Sequence, residues 1–208
     1  GCAPERLAIR PGGIVAVHGG NASVTFRDIA LFATHAAVGG GPIIGTAAVT
    51  QNEPLDPDHT QGKGMLAFES VGALTFGAQI VEVEVDAATG RAEVVEAWCA
   101  HDVGRAINPS AVEGQIQGGF VQGLGYTLFE ELVWREGHLV NPSFSDYKIP
   151  STLDVPYAIH PIIVEEPDPD HPFGAKGIGE PPLIAAPAAI ANAIDDAVAR
   201  RMRTLPIT

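Results

Sequence analysis

Apolar and acidic residues alternate through Gln79-Ile80-Val81-Glu82-Val83-Glu84-Val85-Asp86, the period-two pattern of a strand with one buried face. Arg91 to Ala100 is again rich in Val, Trp and Ala, and Ala87-Ala88-Thr89-Gly90 between the two runs predicts a β-hairpin. A further strand is expected over Tyr157 to Val164, ahead of a Pro- and Asp-rich stretch from Glu165 to Pro172. Helical patterning recurs three times. Phe26 to Val38 reads as a helix, entered through the turn-rich Gly20 to Thr25 and stopped by Gly39-Gly40-Gly41-Pro42. A longer helix starts near Asn108-Pro109-Ser110, where Asn or Ser can cap and Pro109 suits the first turn, and runs to about Leu132. The last covers roughly Leu183 to Arg201, with Ile190, Ile194 and Val198 four apart on one face. Thr46 to Gly64 turns polar and rich in Pro and Asp, a long surface loop of the kind that is usually functional or mobile. Strands followed by helices, without strict β-α-β alternation, predict an α+β architecture of mixed sheets and packed helices. Two small subdomains are expected, 1–75 with a helix and the polar loop, and 76–208 with the remaining elements.

The long helix carries Gly114, Gly118, Gly119, Gly123 and Gly125, each costing about 1 kcal/mol relative to Ala in a helix interior. Together that is roughly 5 kcal/mol, comparable to the whole stability of a marginal domain, so something must offset it. Phe120, Leu124, Leu128 and Leu132 form the apolar core stripe. Gln115, Gly118, Gly119 and Gln122 form another, with two amides and no bulk between them. Such a face lets a polar ligand approach the backbone closely while the amides donate and accept. Equally, it lets a second helix pack against small residues with Gln115 and Gln122 merely solvated.

Phe173-Gly174-Ala175-Lys176-Gly177-Ile178-Gly179-Glu180-Pro181-Pro182 concentrates glycines that expose consecutive backbone N–H groups, a geometry suited to an anion or a heterocycle's edge. It is neither a Rossmann fingerprint nor a Walker loop: from Gly177 the sixth position is Pro182, and no G-K-[ST] follows. Glu180 stands between this loop and a Pro-Pro step that stiffens the entry to the last helix. A carboxylate on so rigid a backbone suits a general base. It also suits an ordinary acidic residue favoured by the dipole near a helix N-terminus.

Composition narrows the field. With 208 residues the chain can bury a sizeable core, and no uninterrupted apolar run is long enough to span a bilayer. A formal charge of −13, and no basic block beyond Arg200, Arg201 and Arg203, argue against nucleic acid as a partner. Only Cys2 and Cys99 are present, with no Cys-x-x-Cys for zinc or an iron–sulfur cluster. Gly1 to Leu7 lack the pattern of a secretory signal. A reduced, cytoplasmic setting without a membrane partner is therefore expected.

The string His101-Asp102-Val103-Gly104-Arg105-Ala106-Ile107-Asn108-Pro109 is followed by Glu113-Gly114-Gln115-Ile116-Gln117-Gly118-Gly119 and Val121-Gln122-Gly123-Leu124-Gly125. With Asp146-Tyr147-Lys148-Ile149-Pro150 and Gly174 to Pro182, in that order, the chain resembles the C-terminal part of the molybdopterin-binding large subunit of the xanthine dehydrogenase and aldehyde oxidase family of molybdenum hydroxylases. The resemblance is weakest before Ile80. It implies a molybdopterin-binding-domain-like fold in which Glu180 matches the active-site base and Gln115 a glutamine close to the molybdenum ligands. Lys176, Gly177, Ile178 and Gly179 match a segment that touches the pterin, whether or not that pterin carries cytosine.

The implied reaction is hydroxylation of an N-heteroaromatic or aldehyde carbon with water as oxygen source, the heteroaromatic class being favoured. FAD and 2Fe-2S clusters are then expected on other domains or subunits. Because the pterin holds the metal, no protein metal ligand is expected, and His101-Asp102 reads as a structural strand end. The family's large subunit is several times longer, so the chain should form a partial site, as a fragment or one piece of a split subunit, inactive alone. Its partners would be the remaining large-subunit region, the iron–sulfur and flavin components and a small-molecule substrate. Two rivals stay open: a non-catalytic module that buttresses a partner's cofactor, and an unrelated hydrolase using Glu180 with a histidine.

Overall fold

In the computed structural model, which describes residues 3–35, 41–46 and 73–207, three short strands lead the chain. They are β1 (Leu7–Arg10), β2 (Ile14–Val17) and β3 (Ser23–Thr25), paired antiparallel in that order. Gly20 to Thr25 is thus only partly a turn: its second half is strand, because the β-branched Val24 and Thr25 pair with Val15 and Ile14. Thr25 then caps α1 (Phe26–His35), its hydroxyl accepting the Asp28 amide at 3.0 Å and donating to the Asp28 carboxylate at 2.6 Å. Residues 36–38 of the expected helix, and the expected polar loop from residue 47 onward, lie outside the described residues. Contacts group the chain into two units, Gly1–Ala48 and Val49–Thr208, and the candidate site belongs entirely to the second.

There the expected hairpin forms from β4 (Gly77–Val85) and β5 (Ala92–Asp102). Its turn is tied by the Asp86 carboxylate, which accepts from the Ala88 amide and the Thr89 hydroxyl, both at 2.8 Å. From β5 the chain enters α2 (Pro109–Leu128), whose Asn108 cap accepts the Ala111 amide at 3.2 Å. A two-residue-turn ribbon, β6 (Trp134–Arg135) with β7 (His138–Leu139), follows. The chain then returns as β8 (Ala158–Val164), parallel to β5, and ends in α3 (Pro181–Val198). The sheet order is β4-β5-β8, with β5 antiparallel to one neighbour and parallel to the other. The parallel pair is a crossover made by α2, which the lack of strict β-α-β alternation did not foreshadow.

One sheet face is packed against α2 and α3. Period two turns Val81, Val83 and Val85 of β4 inward, opposite Ala97, Val94 and Ala92 of β5. The helices contribute Ile116, Phe120 and Leu124 from α2 and Ala186, Ile190 and Ile194 from α3, none more than 2 % exposed. The four-residue stripe of α2 therefore extends through Val112 and Ile116, not to Leu132, which is exposed. The helix stops at Leu128, a turn earlier than expected, because the Phe129 and Glu130 amides both donate to the Gly125 carbonyl, at 2.9 and 2.8 Å. Glu130 is then occupied by the Tyr147 hydroxyl at 2.5 Å. Helix α3 starts two residues earlier than expected, at Pro181, where a missing N–H costs nothing. It ends at Val198 where Ala199 turns left-handed. Among the described residues, no helix is long and apolar enough to cross a membrane.

Candidate functional site

At the end of β5 the side chains of His101 and Asp102 are buried, 1 % and 6 % exposed. Asp102 receives Lys176 Nζ at 2.6 Å and the Gly104 amide at 2.9 Å, so the buried ion pair is also hydrogen-bonded by backbone. Burial alone would raise the Asp102 carboxyl. The Lys176 hydrogen bond, the Gly104 amide and the Lys176 charge outweigh it and hold the group below its ordinary value. Backbone zips the two segments together: Lys176 N donates to Val103 O and Arg105 N to Gly174 O, each at 2.9 Å. Gly104 is required there. A Cβ on it would run into the Gly174 carbonyl and the Lys176 backbone.

The loop from Lys176 to Gly179 consequently alternates. Lys176 points into the protein at Asp102, and Ile178 packs against the core. Gly177 and Gly179 remain exposed, with nothing within 4 Å of where a Cβ would project. Of the four loop residues expected at a cofactor, two anchor the loop through side chains and two present bare backbone.

Glu180 follows as the residue before α3, exposed and making no side-chain capping bond. It lines an open recess of about 450 Å³ together with Thr75, His171, Lys176, Gly177 and Gly179. The His171 ring lies on the wall of that recess, its Nδ1 3.2 Å from the Asp168 carboxylate. Behind Glu180, the Gln79 amide on β4 donates to the Pro182 carbonyl at 2.7 Å and contacts His101 Nε2 at 3.1 Å. Desolvation lowers the His101 pKa and keeps the ring neutral.

The glycines of α2 divide between two jobs. A Cβ on Gly119 would stand 2.7 Å from Pro182 Cβ, and one on Gly123 2.5 Å from Ala186 Cβ, so these two let α3 approach. Gly125 makes room for Glu130 and Pro150. Gly114 and Gly118 meet nothing within 4 Å, and Gln115 and Gln122 beside them are exposed. Helix packing thus accounts for two of the five glycines and loop packing for a third, and an open strip of Gly114, Gln115, Gly118 and Gln122 is left over.

Lys176, Gly177, Gly179 and Glu180 come together at one recess, and Ile178 lies beneath it. Gln115 does not line that recess, although Pro182 rests on Gly119, one helical turn further along α2. Sequence reasoning missed Gln79 and the partnership of Asp102 with Lys176. For Gln79 a signal existed: its phase in the strand is that of Val81, so its amide had to be buried and to find partners. Among the described residues no three His, Cys, Asp or Glu side chains are grouped to hold a metal ion.

Residues 1–156 match the family model described as a molybdopterin cofactor-binding domain. The xanthine dehydrogenase molybdenum-binding subunit of Escherichia coli O157:H7 is 36% identical over 72% of this chain and 21% of its own length. The 6-hydroxypseudooxynicotine dehydrogenase complex subunit gamma of Paenarthrobacter nicotinovorans is 43% identical over 64% of this chain and 17% of its own. Quinoline 2-oxidoreductase from Pseudomonas putida 86 superposes with a TM-score of 0.71 at 34% identity, over 99% of this chain and 25% of that one. The chain thus spans about a sixth to a quarter of the length of these relatives.

Proposed function

The chain belongs to the molybdopterin-binding large subunits of the molybdenum hydroxylases, and on that premise we propose that it forms one wall of such an active site, with Glu180 as its general base. The observation that carries the proposal is the recess at the start of α3, where a carboxylate on a Pro-Pro-stiffened backbone stands next to two bare glycines. Bare backbone at Gly177 and Gly179, and along Gly114 and Gly118, fits a flat polar heterocycle that must come close to N–H and C=O groups. Gln115 and Gln122 on the open strip can donate to it and accept from it. The residues present therefore fit molybdopterin.

Gly177 and Gly179 would hold the cofactor through backbone, Gln115 through its carboxamide, and the Lys176–Asp102 pair would fix the loop from beneath. Bound there, molybdopterin supplies molybdenum and with it the two-electron oxidation of the substrate carbon. The Glu180 carboxylate accepts the proton that the attacking oxygen gives up. The Pro-Pro step after Glu180 restricts where that carboxylate can stand, and a fixed position is the first requirement of a general base. Covering the exposed face of Glu180 with the rest of a large subunit would exclude water from the site. We place the iron–sulfur clusters and flavin on other domains or subunits.

An N-heteroaromatic ring is the proposed substrate class, in keeping with a relative named for quinoline. The test is Glu180→Gln in the assembled enzyme. Loss of about 10²–10⁴ in kcat with molybdenum and pterin content unchanged is expected, the usual contribution of a positioned base. Unchanged turnover would leave only a buttressing role for this chain, and activity in enzyme stripped of molybdenum would point to an unrelated hydrolase.

A further inference from the structure

Gln79 is the one polar residue on the inward phase of β4, level with Val81, Val83 and Val85. Its amide nitrogen lies 2.7 Å from the Pro182 carbonyl, 103 residues away in sequence, and 3.1 Å from His101 Nε2. A carbonyl only accepts, so the atom facing Pro182 is the NH₂ group, and its second hydrogen points at His101. His101 Nε2 must then accept, which assigns the proton of the neutral ring to Nδ1. Burial favours that neutral form.

The ring itself has little freedom. Gly77 stands directly opposite His101 in the β4–β5 register, and a Cβ there would sit 2.5 Å from Nδ1. Among the described residues, neither His101 Nδ1 nor Gln79 Oε1 has a hydrogen-bond partner. Two unsatisfied buried atoms cost stability, and the same core volume filled by an aliphatic side chain would be more stable. What the arrangement secures is the grip on Pro182.

That grip falls on the first turn of α3, where Pro181 and Pro182 have no N–H of their own and Leu183 N donates back to the Glu180 carbonyl at 3.0 Å. Pro182 is wedged from the other side by Gly119. We propose that Gln79, oriented by His101, is a positioning residue for Glu180, fixing the backbone turn that aims its carboxylate. The proposal rests on the reading of Glu180 as the base, and it is distinguished from that reading by a double-mutant cycle.

In the assembled holoenzyme, Gln79→Met removes the donor at similar volume, and Gln79→Asn keeps an amide in the core but falls one methylene short of Pro182. For either variant, kcat per molybdenum is expected to fall roughly ten- to a hundredfold with KM unchanged, the scale of a displacement of about 1 Å at a reacting group. The Leu183 amide should exchange with deuterium faster. In a Glu180→Gln background, where the slow residual reaction is followed by single-turnover reduction, the same substitution should have no further effect.

A merely structural Gln79 predicts lower melting temperature and lower cofactor loading with turnover per molybdenum intact, which overturns the proposal. Full additivity with Glu180→Gln overturns it too, because Gln79 would then act on something else. Glu180→Gln alone retaining turnover sinks the base itself, and the positioning role falls with it.

Discussion

Asp102 and Lys176 illustrate how much of a site can rest on one pair. Both side chains are less than a tenth exposed, and each would be an unpaired buried charge without the other. Lys176→Met is expected to cost about 3–5 kcal/mol in chemical denaturation, the usual consequence of breaking a buried pair from one side. The double replacement Asp102→Leu with Lys176→Met should recover part of that loss. The pair also dictates an acid limb. Because the Asp102 carboxyl sits below its ordinary value of 3.8, the stabilisation is fully present above that pH and is lost as pH falls through the lowered value. Thermal melts of wild type and Lys176→Met should therefore converge on acidification; curves that stay parallel down to the acid transition would show that the pair carries no linked proton. Cys99 offers a second check. Burial pushes its thiol up to about 11, so the Cys99 peptide should escape alkylation at pH 8 until the protein unfolds.

At this scale the sequence was partly legible. The Pro-Pro step after Glu180 marked the entry to α3, which begins at Pro181. Lys176 and Asp102 are 74 residues apart, and nothing in their spacing announces the pairing. His101-Asp102 did read as a structural strand end, and both residues are buried where β5 finishes.

Among the elements, α2 gives the sharpest contrast. Gly119→Ala and Gly123→Ala would drive a methyl group into Pro182 and Ala186 and push α3 away, with an expected cost of about 1–3 kcal/mol. Gly118→Ala meets empty space and should stabilise the helix by roughly 1 kcal/mol. If the open strip faces the cofactor, that same stabilised variant should lose molybdenum content; a Gly118→Ala enzyme that is more stable and fully loaded would separate the strip from the cofactor.

The glycine-rich face was legible as a place of close approach, but not the identity of what approaches, because a helix and a ligand ask for the same missing Cβ. Periodicity located β4, β5, β8, α2 and α3 within a turn or so. It misjudged their ends where side chains far along the chain decide: the last turn of α2 gives way to the Gly125 carbonyl's two donors and to the bond between Tyr147 and Glu130.

Taken as a whole, the chain carries a carboxylate, bare glycine backbone and a carboxamide on faces that are exposed among the described residues. Purified alone and supplied with cofactor, it is expected to show no turnover; a measurable rate would overturn the proposal that it is a single wall. The mixed sheet also sets an order of events. The β4–β5 hairpin closes over a few residues, whereas β8 can join β5 only after the chain has travelled out along α2 and back, and the Lys176 amide meets Val103 only once that strand is seated. Local pairings form before distant ones, so the cofactor loop should be among the last regions to acquire native protection during refolding. Pulse-labelling of amide hydrogens would show the hairpin amides protected first and Lys176 late. A cell could then deliver the cofactor to a scaffold already folded but not yet shut.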